Sequence, residues 1–129
     1  MDVDEDVLFL TLSSHGAVDE SGSILGDLVM TNPPLTLDPI DPVWLRGALD
    51  ASGIRWRVIV VSSCYSGAFI QALSSPTTVI ITASRADRAS FGCSNDADMT
   101  YFGRAFFSES MREQTTLTGA FNKARRRCS

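Results

Sequence analysis

Two apolar runs in this chain each end on a residue able to do chemistry. Val7-Leu8-Phe9-Leu10-Thr11-Leu12 leads through Ser13-Ser14 into His15-Gly16, and Val58-Ile59-Val60-Val61 leads through Ser62-Ser63 into Cys64. His15 is the single histidine of 129 residues, so any imidazole chemistry must use it. A thiol attacks a carbonyl as thiolate and needs a base or an imidazolium close by. If the two runs are neighbouring parallel strands, their carboxyl ends deliver base and thiol to one edge of a sheet, where open α/β sheets place their ligands. The pair then reads as nucleophile (Cys64) and base (His15) of a hydrolase. The backbone N–H groups of Gly16 and Cys64 are placed to receive an oxygen anion.

The rest of the chain supplies elements that would position such a pair. The run over 7–14 reads as a strand, 15–23 as a polar loop, and Ile24 to Met30 as a short extended or hairpin segment. Asn32-Pro33-Pro34 and Asp38-Pro39 break the chain. Asp41-Pro42 is a helix start, with Asp as N-cap and Pro in the first helical position. Trp44, Leu45, Ala48 and Leu49 then form an apolar face as far as Gly53. Arg57 to Ser63 is β-branched and continuous, as in a central parallel strand covered on both faces. A helix is expected over 65–73, a third strand over 77–82, a loop over 84–95, and helices over about 97–110 and 116–126. The order β–(hairpin)–α–β–α–β–α–α implies α/β architecture: a mostly parallel sheet with right-handed crossovers. Three strands make a thin sheet, so the chain reads as one partial domain, with an acidic leader over 1–6 and a C-terminal helix with a basic tail over 111–129.

Composition narrows the partners. A net charge of −4 argues against nucleic acid, and Lys123-Ala124-Arg125-Arg126-Arg127 reads as a solvated helix end whose cations suit the helix dipole. No apolar stretch reaches the roughly 20 residues that span a bilayer, and the leader is acidic where a secretory signal is basic. Three cysteines without metal spacing make neither a disulfide framework nor a zinc site, which fits a reducing, cytoplasmic setting with no metal and no cofactor. Ser66 lacks a Gly-x-Ser-x-Gly elbow. Asn95-Asp96-Ala97-Asp98 lacks the later ligands of a calcium loop and reads as helix capping. Cys93 reads as buried packing and Cys128 as an incidental thiol.

The motifs in their order resemble the legumain-like (asparaginyl endopeptidase) family of the caspase-like clan. That family has an apolar block before His-Gly, a second before Ala-Cys-Glu-Ser-Gly-Ser, then Thr-Thr-Ala and Ser-Ser-Tyr-Ala-Cys. The chain has Leu12-Ser13-Ser14-His15-Gly16, Ser63-Cys64-Tyr65-Ser66-Gly67, Ile81-Thr82-Ala83-Ser84, Ala89-Ser90-Phe91-Gly92-Cys93 and Thr100-Tyr101-Phe102-Gly103-Arg104. The interval from His15 to Cys64 is also the roughly 50 residues that separate histidine and nucleophile in caspases. The resemblance implies a three-layer α/β/α caspase-like fold, here lacking its first two strands. It implies a cysteine endopeptidase acting on a peptide or protein substrate, with His15 as base, Cys64 as nucleophile and Gly16 as oxyanion donor. It further implies that Ser84, Ala89 and Ser90 line the pocket for the residue before the scissile bond. Two family acids are replaced there, by Tyr65 and by Arg104, so asparagine specificity is expected to give way to an acidic or small side chain. The absent front strands imply either a longer precursor or a sheet edge completed by another copy of the chain. The rival reading is a non-enzymatic caspase-like domain that binds peptides or partners in the same cleft.

Overall fold

The computed structural model describes residues 2–90 and 100–127, which fall into two compact units, 1–89 and 90–129. Cys93, Cys128 and the acidic stretch 95–98 lie outside the described residues. In the first unit, β1 (Val7–Ser13), β4 (Trp56–Ser62) and β5 (Thr78–Thr82) form a parallel sheet in the order β1-β4-β5. A second, two-stranded antiparallel sheet pairs β2 (Gly16–Val18) with β3 (Ile24–Leu28). Helix α1 (Pro42–Ala51) joins β3 to β4, and α2 (Ala68–Leu73) joins β4 to β5. The fold is thus mixed α/β with a mainly parallel sheet flanked by helices, as the caspase-like expectation requires.

The central strand is covered on both faces. Every residue of β4 except Trp56 is buried, and Ile59 and Val61 are completely so. Leu45 and Leu49 of α1 and Phe69 and Leu73 of α2 pack with them, joined by Leu28 of β3 and bordered by Leu8, Leu10, Leu12 and Ile80. Burying side chains of this size contributes roughly 1.5–3 kcal/mol each. The edge strand β1 only alternates between exposed and half-buried residues.

Local chemistry sets the boundaries. The Asp41 carboxylate caps α1 by accepting from the Trp44 N–H at 2.7 Å, with Pro42 as the first helical residue. The α1 face is narrower than expected, because Trp44 is 63% exposed and Ala48 also faces solvent. The buried residues of the helix are Pro42, Leu45 and Leu49. Arg57, at the start of β4, is buried and donates to the carbonyls of Leu49 (2.8 Å) and Ile54 (2.7 Å) and to the Asp50 carboxylate (2.9 Å). It therefore ties the end of α1 to the first residues of the central strand.

Two further boundaries differ from the sequence expectation. The loop after His15 contains β2, whose three residues are too few to show a period. Helix α2 begins at Ala68 instead of at 65, because Tyr65 holds a left-handed φ of 60° that no helix interior accepts.

The second unit is helical: α3 (Tyr101–Gly103), a π-helical stretch (Arg104–Ser110), α4 (Met111–Glu113) and α5 (Leu117–Arg127). Thr100 caps α3 by accepting from the Gly103 N–H at 3.0 Å. Phe102 and Phe106 stack at 5.6 Å, and Phe107 meets Phe106 edge-on at 5.0 Å. The basic end of α5 is partly paired, with Lys123 on Glu113 and Arg127 on Glu109. Among the described residues no helix is long and apolar enough to cross a membrane.

Candidate active site

The sheet register brings His15 and Cys64 to the same edge. Strands β1 and β4 run parallel with Ser13 opposite Ser62, so each candidate follows its paired serine by two residues. The Ser14 N–H donates to the Ser62 carbonyl at 3.2 Å, which extends the ladder one residue beyond the strands. The hairpin then fixes the histidine backbone. The Val29 N–H donates to the His15 carbonyl at 2.8 Å, and the Ser14 hydroxyl donates to the Val29 carbonyl. In an antiparallel ladder that bond makes Gly16 and Leu28 a non-hydrogen-bonded pair, so the hairpin takes no bond from the Gly16 N–H. His15 is exposed and Cys64 half-buried.

Gly16 shows how closely the two strand ends approach. A Cβ at this position would overlap the carbonyl oxygen of Cys64, and would lie 2.9 Å from the Cys64 carbonyl carbon and 3.0 Å from Cδ2 of Tyr65. The backbones of His15-Gly16 and Cys64-Tyr65 are therefore in van der Waals contact, and only glycine permits it.

The turn carrying Cys64 is fastened from the other side by the segment after β5. The Tyr65 N–H donates to the Arg88 carbonyl at 2.9 Å. The Ser84 hydroxyl donates to the Ser63 carbonyl at 2.9 Å and accepts from the Ser66 N–H at 3.2 Å, while the Ser84 N–H donates to the Ser66 hydroxyl at 3.1 Å. Gly67 lies so close to this segment that a Cβ there would overlap the Ala86 nitrogen and stand 2.7 Å from the Arg85 carbonyl carbon.

The expected pocket residues fall in different surroundings. Ser84 is half-buried, with its hydroxyl engaged by Ser63 and Ser66; Ala89 is exposed. Ser90 and Arg104 belong to the second unit. There Arg104 is 72% exposed and pairs with Glu109 at 3.6 Å. Tyr65 is half-buried beside Gly16. Sequence reasoning did not single out the Ser63–Ser66–Ser84 contacts or the Arg88 carbonyl, which join residues some twenty positions apart with no motif to mark them.

A parallel α/β sheet that sets a histidine and a cysteine at adjoining strand ends is a framework suited to a cysteine peptidase. The whole chain, residues 1–129, matches the model of the Peptidase C13 family, the legumain family, and the chain belongs to it. A comparison with curated proteins returned no match. Membership brings cysteine peptidase activity at the level of the family.

Proposed function

We propose that the protein is a cysteine endopeptidase working through a Cys64–His15 dyad. His15 takes the thiol proton, and the Cys64 sulfur forms a bond to the scissile carbonyl carbon as the carbonyl electrons move onto oxygen. The N–H groups of Gly16 and Cys64 receive that oxygen anion. The histidine proton then passes to the departing amine, which leaves a thioester on Cys64. Water, deprotonated by His15, attacks the thioester and releases the acid and the free enzyme. The observation that carries this reading is the contact of Gly16 with the Cys64 carbonyl, because it sets the histidine-bearing and cysteine-bearing backbones side by side.

A peptidyl acyloxymethyl ketone, which needs an aligned thiol, tests the dyad. Mass spectrometry is expected to find the adduct on Cys64, with labelling at least about tenfold slower in His15→Ala and lost on mild unfolding. Labelling of Cys64 no faster than that of Cys128, or indifferent to His15→Ala, would refute the dyad.

Specificity follows from the two replaced acids. With Tyr65 and Arg104 where the family has carboxylates, nothing acidic is left at those positions to bind an asparagine amide or to repel an acid. Peptides with Asp before the scissile bond are expected to be cut about tenfold faster than their Asn counterparts, a difference worth roughly 1.4 kcal/mol. Arg104→Asp should reverse the order. Equal kcat/KM for the two peptides, unchanged in that variant, would count against the assignment.

A further inference from the structure

We propose that Ser66 and Ser84 form a hydroxyl clasp that positions the Cys64 turn for reaction, a role that rests on the dyad reading above. The two serines exchange bonds reciprocally. Each hydroxyl accepts from the other residue's backbone N–H, at 3.1 and 3.2 Å, and the Ser84 hydroxyl also donates to the Ser63 carbonyl at 2.9 Å. Ser66 is completely buried, so its N–H and hydroxyl have no water to fall back on. The residues flanking Cys64 on both sides are thus anchored to one point at the end of β5. Arg88 adds a third anchor through the Tyr65 N–H.

The anchors hold a conformation that the turn would otherwise abandon. Tyr65 sits at φ 60°, where an L-residue with a bulky side chain is strained by the approach of its Cβ to the carbonyl oxygen. Released, it would relax to the right-handed region and extend α2 backwards, as the bare sequence suggests it should. That relaxation would rotate the peptide joining Cys64 to Tyr65 and swing the sulfur and the Cys64 N–H together. The three clasp bonds and the Arg88 carbonyl together oppose it with four hydrogen bonds made away from water. Ser66 and Ser84 are accordingly positioning residues: the Ser84 hydroxyl, which the family resemblance would assign to the substrate pocket, is engaged by Ser63 and Ser66 and acts through the geometry of Cys64.

Ser84→Ala tests this directly. In the folded variant kcat for a peptide is expected to fall about tenfold with KM within twofold, since misplacing reacting atoms by a fraction of an ångström costs turnover before binding. Labelling of Cys64 by the peptidyl ketone should slow by the same factor, whereas alkylation by iodoacetamide, which needs no aligned carbonyl, should stay within twofold. Ser84→Thr keeps the hydroxyl and should recover kcat to within threefold. Should Ser84→Ala fail to fold, Ser66→Ala removes the other hydroxyl and carries the same expectations. A lower melting temperature with kcat and ketone labelling unchanged would overturn the clasp's positioning role. Failure to label Cys64 in the unaltered protein would instead refute the dyad, and the clasp's role with it.

Discussion

Gly16→Ala is expected to lower peptide turnover by at least about a hundredfold, with a loss of stability of roughly 1–3 kcal/mol. The added methyl would occupy the space of the Cys64 carbonyl oxygen, so one of the two strand ends must retreat by about an ångström to restore ordinary contact. Either end moves only against its own hydrogen bonds. The histidine side is held by the Val29–His15 and Ser14–Val29 bonds, and the cysteine side by Ser84 and Arg88. The displacement therefore falls on the gap between His15 and Cys64, and it also shifts the Gly16 N–H from where the reading needs an oxyanion donor. Loss of one such donor costs about a hundredfold or more. Kinetics at a temperature well below the variant's melting point separates the two effects. Turnover within threefold of the unaltered protein would show that this contact does not set the reacting geometry.

What the sequence revealed of this architecture depended on how local the signal was. The strand ends bearing His15 and Cys64 were legible because an apolar run that stops at a polar, reactive residue marks a strand leaving the core at a sheet edge. Asp41-Pro42 was legible for the same local reason, since capping is decided within four residues. By contrast, β2 is defined by pairing with β3, Gly16 opposite Leu28 and Val18 opposite Ile24, a pairing no three-residue period can announce. The start of α2 was misplaced by three residues because nothing local to Tyr65 announces its left-handed φ. The contrary information lies in Ser84 and Arg88, some twenty residues away. Trp44 and Ala48 were assigned to the buried face from their helical spacing, whereas in the structure Pro42, Leu45 and Leu49 are the buried residues of α1.

The same distinction explains why Arg57 went unread. In sequence it is simply the polar residue before a β-branched run. In the fold its guanidinium lies under the end of α1, where the last helical carbonyls have lost their partners and the helix dipole favours a cation. A signal was available: an arginine eight residues after Leu49 can fold back onto a helix that ends nearby. It points to stability and leaves the reactive edge untouched, because Arg57 sits at the amino end of β4 and Cys64 beyond its carboxyl end.

Arg57→Met should accordingly unfold the protein more easily by about 3 kcal/mol, near 10 °C in melting temperature, while leaving the chemistry of the folded fraction intact. Methionine keeps the apolar stem but leaves the carbonyls of Leu49 and Ile54 without their charged donor. Lysine cannot span three acceptors and should recover less than half of the loss. The deficit should also depend on pH. Hydrogen bonds from Arg46 and then Arg57 hold the Asp50 carboxyl below its ordinary range. A depressed carboxylate stabilises the fold above its unfolded pKa, about 3.9, and loses that contribution as pH falls through the lower folded value. The Arg57 share of it disappears in the variant, so the gap between the two proteins should be widest above about pH 4 and narrow below it. Arg55→Ala, two residues earlier, removes only a guanidinium 5.2 Å over the Trp56 ring and should cost about 1 kcal/mol or less. A melting point for Arg57→Met within about 3 °C of the parent would mean that water and the Ser52 hydroxyl, which already donates to the Leu49 carbonyl at 2.6 Å, satisfy those carbonyls equally well.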